Sequence, residues 1–283
     1  MSVCVYHAGC VDGLASASIM QKKYGCIRLV GCPAGSDPDI NIHNESVFFV
    51  DIAPSHECLM DLLNKGNTVT VIDHHVTSHA ALKNVVHPNF VYIYSANKCG
   101  CLLTHEYVSP GVPVPEYLKY IDDQDRFVRV LENTEEITSA IYSDYKSIPG
   151  MALLEHVNMT DLVTRGTFLK QVNNKNISDA IANRIECTYK NMHCYVYSDY
   201  SNMRSMTGSQ LLDIPMTSGV LPDFTVFYRY DLRSGKLYVS LRGRDDRVAC
   251  SEIAAEFGGG GHRNACGFEL DPSVPLNSVF KVI

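Results

Sequence analysis

The 283-residue chain has no tryptophan, no apolar run approaching the roughly 18 residues that cross a bilayer, and no excess of basic charge. The missing apolar run argues against a helical membrane anchor. The missing basic charge argues against a long nucleic-acid partner: the net charge of −7 lies entirely in residues 1–200, residues 201–283 are balanced, and no basic track is left for an extended polyanion. Low-complexity tracts, sequence repeats and regular cysteine pairs are absent too. The 11 cysteines are scattered, and the one close pair, Cys99 and Cys101, lacks the spacing of roughly two to four residues found in structural zinc sites. No basic stretch precedes the first apolar run, so no signal peptide is expected and the thiols read as reduced, in a cytoplasmic compartment.

Three short apolar runs stand near the start of the chain, each ending abruptly in acid or imidazole. Val3-Cys4-Val5-Tyr6 meets His7, Val47–Val50 meets Asp51, and Val69–Ile72 meets Asp73-His74-His75. Short β-branched stretches of this kind read as buried strands of a parallel sheet, and open α/β sheets bind ligands just beyond the carboxyl ends of their strands. Acids and imidazoles placed there are half buried unless paired or metal-bound. Their convergence therefore predicts a metal site.

Between the runs, helices are expected from about Leu14 to Tyr24 and after a Ser55 cap, the latter with Leu59, Leu62 and Leu63 inward and Gly66 past its end. This is the rhythm of a parallel sheet. A further strand is expected at Val91–Tyr94 and a helix at Cys99–Tyr107, stopped by Pro110, Pro113 and Pro115. Lys98-Cys99-Gly100 at that helix start reads equally as a phosphate contact or as a plain N-terminus. From Met151 to Met192 the pattern turns helical, with Ile177, Ile181, Ile185, Tyr189 and Met192 at helical spacing. Strand signals resume at Tyr195, Phe224–Tyr230 and Leu237–Leu241 form an expected hairpin with Gly235 in its turn, and a helix at Ser251–Phe257 leads to Gly258-Gly259-Gly260-Gly261-His262 and another strand, Asn264–Leu270. Four successive glycines suggest a backbone that something approaches closely. An anion nest for phosphate is the expected use, with His262 and Arg263 as added donors. His43, His56, His79, His87, His105, His156 and His193 have no supporting constellation and read as surface or capping residues.

In order, His7-x-x-Cys10-x-Asp12-Gly13, Asp51, Asp73-His74-His75, Asp123-x-Asp125 and Gly258–His262 followed by Ala265-x-Gly267-Phe268 make the chain resemble the DHH/DHHA1 phosphoesterase superfamily, which includes nanoRNases and RecJ exonucleases. The resemblance runs nearly end to end. It implies an α/β fold with a parallel-sheet DHH domain over residues 1–150, a helical connector over 151–192 and a smaller mixed-sheet DHHA1 domain over 193–283, with the active site in the interdomain cleft. It also implies two divalent ions, Mn2+ first, held by His7, Cys10, Asp12, Asp51, His74 and Asp123, with Asp51 bridging. Many relatives carry Asp where this chain has Cys10. A thiolate there favours Zn2+ or Fe2+, and a buried thiol is the equal alternative. His75 is implied as the donor to the scissile phosphate and Asp73 as its orienting partner, with Arg242, the glycine run, His262 and Arg263 holding substrate. The implied activity is hydrolysis of phosphodiester or phosphomonoester bonds in short nucleotides: short oligonucleotides first, then cyclic dinucleotides or adenosine bisphosphate. A non-catalytic nucleotide sensor and a pyrophosphatase are the alternatives, and a homodimer stays open beside a monomer.

Overall fold

The computed structural model describes residues 2–33, 35–198 and 203–283, and the chain divides into two compact units, Met1–Lys170 and Gln171–Ile283. The first unit runs β1 (Ser2–His7), α1 (Val11–Tyr24), β2 (Arg28–Cys32), β3 (Ser46–Val50), α2 (His56–Asn64), β4 (Thr68–Asp73), α3 (Val76–Leu82), β5 (Phe90–Tyr94), α4 (Gly100–Val108), α5 (Glu116–Asp125), α6 (Thr134–Asp144), α7 (Ile148–Leu153) and α8 (Met159–Ala182). The units part within α8. The second unit continues with β6 (Ile185–Tyr189), β7 (Met192–Tyr197), α9 (Arg204–Leu211), β8 (Phe224–Asp231), β9 (Lys236–Arg242), α10 (Cys250–Glu256), β10 (Gly260–His262), β11 (Ala265–Leu270), α11 (Leu276–Val279) and β12 (Lys281–Val282).

Five parallel strands in the order β2-β1-β3-β4-β5 make the first sheet. Its strands are apolar almost throughout because both faces are covered. Cys4, Phe48, Val50 and Ile72 face a core shared with α1, α4, α5 and α6, whereas Val3, Val5, Val47, Phe49, Val69 and Val71 face α2 and the end of α3. Ser55 caps α2 as expected, its Oγ accepting from the Cys58 amide at 3.1 Å, and Leu59, Leu62 and Leu63 point inward. In this strand order the chain reverses direction of growth between β1 and β3, and the crevice at such a reversal is where doubly wound sheets bind ligands.

The second sheet is mixed, in the order β10-β11-β9-β8-β7-β6-β12, with β7 and β8 parallel and the other neighbours antiparallel. The expected hairpin is β8 and β9, closed by Asp231 opposite Lys236 with Gly235 at φ 67°. Among the described residues, no helix is long and apolar enough to cross a membrane.

Two expectations need correction. The helical stripe through Ile185, Tyr189 and Met192 is not a helix: α8 ends at Ala182 and those residues lie on the antiparallel pair β6 and β7, with Lys190 left-handed in the turn. In Ile185-Glu-Cys-Thr-Tyr189 the strand alternation coincides with the helical one at every fourth residue, and tertiary pairing decides between them. α1 also begins at Val11 rather than Leu14, which puts Asp12 in its first turn.

Gly166 in α8 is set by packing, because a Cβ there would lie 1.8 Å from the Glu136 carbonyl oxygen of α6. Gly166→Ala is expected to cost about 1–3 kcal/mol and to lower the melting temperature, read by calorimetry. An unchanged melting temperature would show that the two helices separate at little cost.

Candidate metal centre

His7 ends β1, Asp51 follows β3, and His74 and His75 follow β4, so three neighbouring strands deliver their terminal side chains to one crevice. His74 Nε2 lies 3.2 Å from Asp51 Oδ1, 3.5 Å from Asp125 Oδ2 and 3.7 Å from Asp12 Oδ2. On the other side of Asp51, its Oδ2 is 3.4 Å from His7 Nδ1, and Cys10 Sγ joins these two in a group tight enough to hold an ion. Asp51 thus belongs to one donor group with His7 and Cys10 and touches, through His74, a second group of His74, Asp12 and Asp125.

Close backbone approach builds this arrangement. Asp51 is left-handed at φ 56°, an uncommon state for a residue with a Cβ. A Cβ on Gly100 would sit 2.6 Å from the Asp51 Cβ, and one on Gly13 would sit 2.2 Å from the His7 carbonyl oxygen. Both glycines let a helix N-terminus press against a ligand-bearing strand end. Asp12 takes the two leading amides of α4, from Gly100 at 2.7 Å and Cys101 at 2.6 Å. The amides that could have met a phosphate are thus used by an acid, and Lys98 pairs with Glu106 at 2.7 Å. The plain N-terminus reading of Lys98-Cys99-Gly100 holds.

The electrostatics are those of a site short of positive charge. Burial, followed by the charges of Asp51 and Asp125, pushes the fully buried Asp12 carboxyl well above the usual carboxylate range. Burial and Asp51 also raise Asp125. Burial favours neutral Asp51, but the facing His7 and His74 rings outweigh it and hold the carboxyl at about 2. Burial favours neutral His74, and the surrounding acids prevail, raising it to about 9. The buried His7 Nδ1 and Asp51 Oδ2 make no hydrogen bond of good geometry. Orphaned donors among several carboxylates and imidazoles fit divalent cations, which would supply the missing charge. Burial and then Asp51 push the Cys10 thiol up to about 12, so Cys10 ligates only an ion that displaces its proton.

Asp73 and His75 pair with one another. Asp73 Oδ1 accepts from the His74 amide at 2.8 Å and lies 2.7 Å from His75 Nδ1, which leaves His75 Nε2 as the free edge of a ring 43% exposed. The Asp73 hydrogen bond is the main cause of an upward shift at His75.

Asp123 is the expected ligand that the fold does not deliver. Its carboxylate accepts from the Val130 amide at 2.9 Å, the Leu131 amide at 3.1 Å and Thr134 Oγ1 at 2.5 Å, which together lower its carboxyl against the effect of burial. Asp125 stands in its place. The signal was present, because Leu118, Ile121, Asp122 and Asp125 recur at helical spacing and α5 turns that stripe inward, with Asp122 accepting from the Cys99 amide at 2.7 Å. Two of the unassigned histidines are more than surface residues: His105 is buried, and His79 stacks on Tyr94 with centroids 3.9 Å apart.

In the second unit, Thr225, Arg242, Ala265 and His262 lie directly opposite one another across β8, β9, β11 and β10, so Arg242 and His262 share a face. The glycine run has internal causes. Gly258 is left-handed at φ 75°; a Cβ on Gly259 would meet the Gly267 carbonyl oxygen at 2.2 Å, and one on Gly261 would meet the Cys266 Cα at 2.7 Å. Gly258 and Gly260 both have open space where a side chain would stand. Arg263 donates to the carbonyls of Asp245 and Arg247, and Arg242 to Ser205 Oγ at 2.8 Å.

No protein-family model matches the chain. An uncharacterized protein of Acanthamoeba polyphaga mimivirus is 29% identical over 289 residues, covering 94% of this chain and 67% of the viral one. The pGpG-specific phosphodiesterase PggH of Vibrio cholerae matches in structure with a TM-score of 0.51 at 11% identity, over 96% of this chain and 93% of that one. RecJ of Thermus thermophilus, solved with Mn2+, matches with a TM-score of 0.46 at 15% identity, over 96% of this chain and 50% of RecJ. The structural neighbours are DHH-domain proteins, and at these identities the likeness to PggH is one of fold.

Asp125→Asn is expected to weaken Mn2+ binding by about tenfold or more, measured by calorimetric titration. Asp123→Asn should lower stability and leave the Mn2+ affinity within about threefold. The reverse pattern would return Asp123 to the ligand set. Cys10→Asp should raise the Mn2+ affinity relative to Zn2+, since it exchanges a soft donor for a hard one; an unchanged ratio would make Cys10 a bystander.

Proposed function

We propose that the chain is a divalent-metal-dependent phosphoesterase acting on short nucleotides. The observation that carries this reading is the pair of donor groups on either side of Asp51: His7 and Cys10 grouped with it, and His74, which touches its other oxygen and groups with Asp12 and Asp125. Divalent cations held there would supply an acidified water nucleophile and neutralise phosphate oxygens. The other tasks fall to side chains. Asp51 keeps the two sets in register from its left-handed backbone. Asp12 ties them to the amino end of α4 and Asp125 to the carboxyl end of α5. His75, held at Nδ1 by Asp73, offers Nε2 to a phosphoryl oxygen and would donate a hydrogen bond as negative charge builds in the transition state.

The acidic balance of residues 1–200 supports short substrates over long strands, which need a basic track. In the second unit, Arg242 and His262, which share one face of the sheet, are the proposed contacts for a phosphate group. His262 is their exposed side chain.

The deciding measurement is product analysis with Mn2+ and, separately, Zn2+, against dinucleotides, short single strands, cyclic dinucleotides, adenosine bisphosphate and pyrophosphate. Metal-dependent cleavage of a nucleotide class is expected, and Asp51→Ala should reduce it by at least about three orders of magnitude, since the two donor groups meet at that carboxylate. Metal binding without turnover of any of these would point instead to a nucleotide-binding sensor, and cleavage confined to pyrophosphate would overturn the nucleotide reading.

A further inference from the structure

Freed from metal binding, Asp123 organises the loop that joins α5 to α6. Its carboxylate takes the Val130 and Leu131 amides and the Thr134 hydroxyl, and its carbonyl takes the Val128 and Arg129 amides at 3.0 and 3.2 Å. The loop so fixed is strained: Phe127 has φ 55° and Arg129 φ 52°, left-handed values that bulky side chains rarely adopt. Such strain persists where surrounding bonds over-determine it, and it gathers at functional sites. What it presents is apolar and open. Phe127 is 74% exposed, Val130 is 76% exposed, and neither belongs to a hydrophobic core. The Arg129 guanidinium lies 5.1 Å from the Phe127 ring centroid.

Position assigns this ring a partner. Phe127 follows Asp125 by two residues, a backbone span of at most about 7 Å, and Asp125 faces His74 in the metal centre. The chain thus carries Phe127 within two residues of an acid of that centre, and on the phosphoesterase reading a base lying on its ring sits beside a phosphate held there. Aromatic rings flanked by arginine grip bases of single-stranded nucleotides through their π faces, without sequence reading. In a chain with no basic track, stacking adds to the phosphate contacts that hold a short nucleotide.

Resting on the phosphoesterase reading, we infer that Phe127 is the stacking platform for the nucleobase beside the scissile phosphate, with Arg129 bracing the ring and Asp123 positioning the loop.

The test uses the Mn2+-loaded full chain with the dinucleotide pApA and its abasic counterpart, which keeps the sugars and phosphates. Phe127→Ala should raise KM for pApA about tenfold, leave kcat within about twofold, and leave hydrolysis of the abasic compound unchanged, while Phe127→Tyr restores the wild-type KM. Equal losses on both compounds, or none on either, would overturn the platform. A binding readout stands apart from turnover. The chain has no tryptophan, so the lone indole of Phe127→Trp should be quenched by pApA and not by the abasic compound. Quenching without hydrolysis would keep the platform and discard the phosphoesterase; hydrolysis without quenching would do the opposite. If Phe127→Ala changes only the oligomeric state in sedimentation, the face belongs to a second copy and the inference fails.

Discussion

Three carboxylates of like charge, the buried Asp12 and Asp51 and the partly exposed Asp125, sit within reach of one imidazole nitrogen. This concentration of negative charge is the constraint on which the rest of the first unit depends. Such acids disfavour one another's ionisation, and burial adds to the effect. The fold offsets that cost by surrounding them with partial positive charge: the leading amides of α4 on Asp12, and the rings of His74 and His7 on Asp51. These donors fall short of full neutralisation, as the buried His7 Nδ1 and Asp51 Oδ2 without hydrogen bonds of good geometry record. A cation site is the simplest account of the deficit.

Rigid backbone approach keeps the acids in place. Gly13 and Gly100 admit helix starts against His7 and Asp51 at distances no Cβ allows, and the left-handed Asp51 turns its side chain back over the strand edge. Sites carried on strand ends and helix starts hold tighter geometry than sites carried on loops. The loop after Asp125 is itself pinned by a buried acid, Asp123. Asp122, Asp123 and Asp125 thus divide three tasks among neighbours: closing α4, fixing the loop and facing His74.

The second unit teaches restraint about glycine. Its four-glycine run satisfies the demands of its own hairpin first, through a left-handed Gly258 and through the contacts that Gly259 and Gly261 make with β11. Gly258 and Gly260 leave open space beside the backbone. Arg242 and His262 come to one face through strand register, a relation that sequence separation conceals.

Much was legible in the sequence because its signals are local. The strands before His7, Asp51 and His74, the Ser55 cap and the hairpin around Gly235 follow from apolar runs, a capping hydroxyl and turn chemistry, each acting within a few residues. From these the sequence alone determined the α/β class and the convergence of His7, Asp51, Asp73, His74 and His75 on one sheet edge, while Cys10 and Asp12 entered through the family resemblance. What it left open were choices made at longer range. Whether Ile185–Tyr189 is strand or helix depends on β7 beside it, since its spacing satisfies both periods. Whether Asp123 or Asp125 meets His74 depends on the rotation of α5 against α4, about 100° per residue along the helix. Only the tertiary packing decides between two acids so placed, and it gives the metal centre the one that shares a face with Leu118 and Ile121.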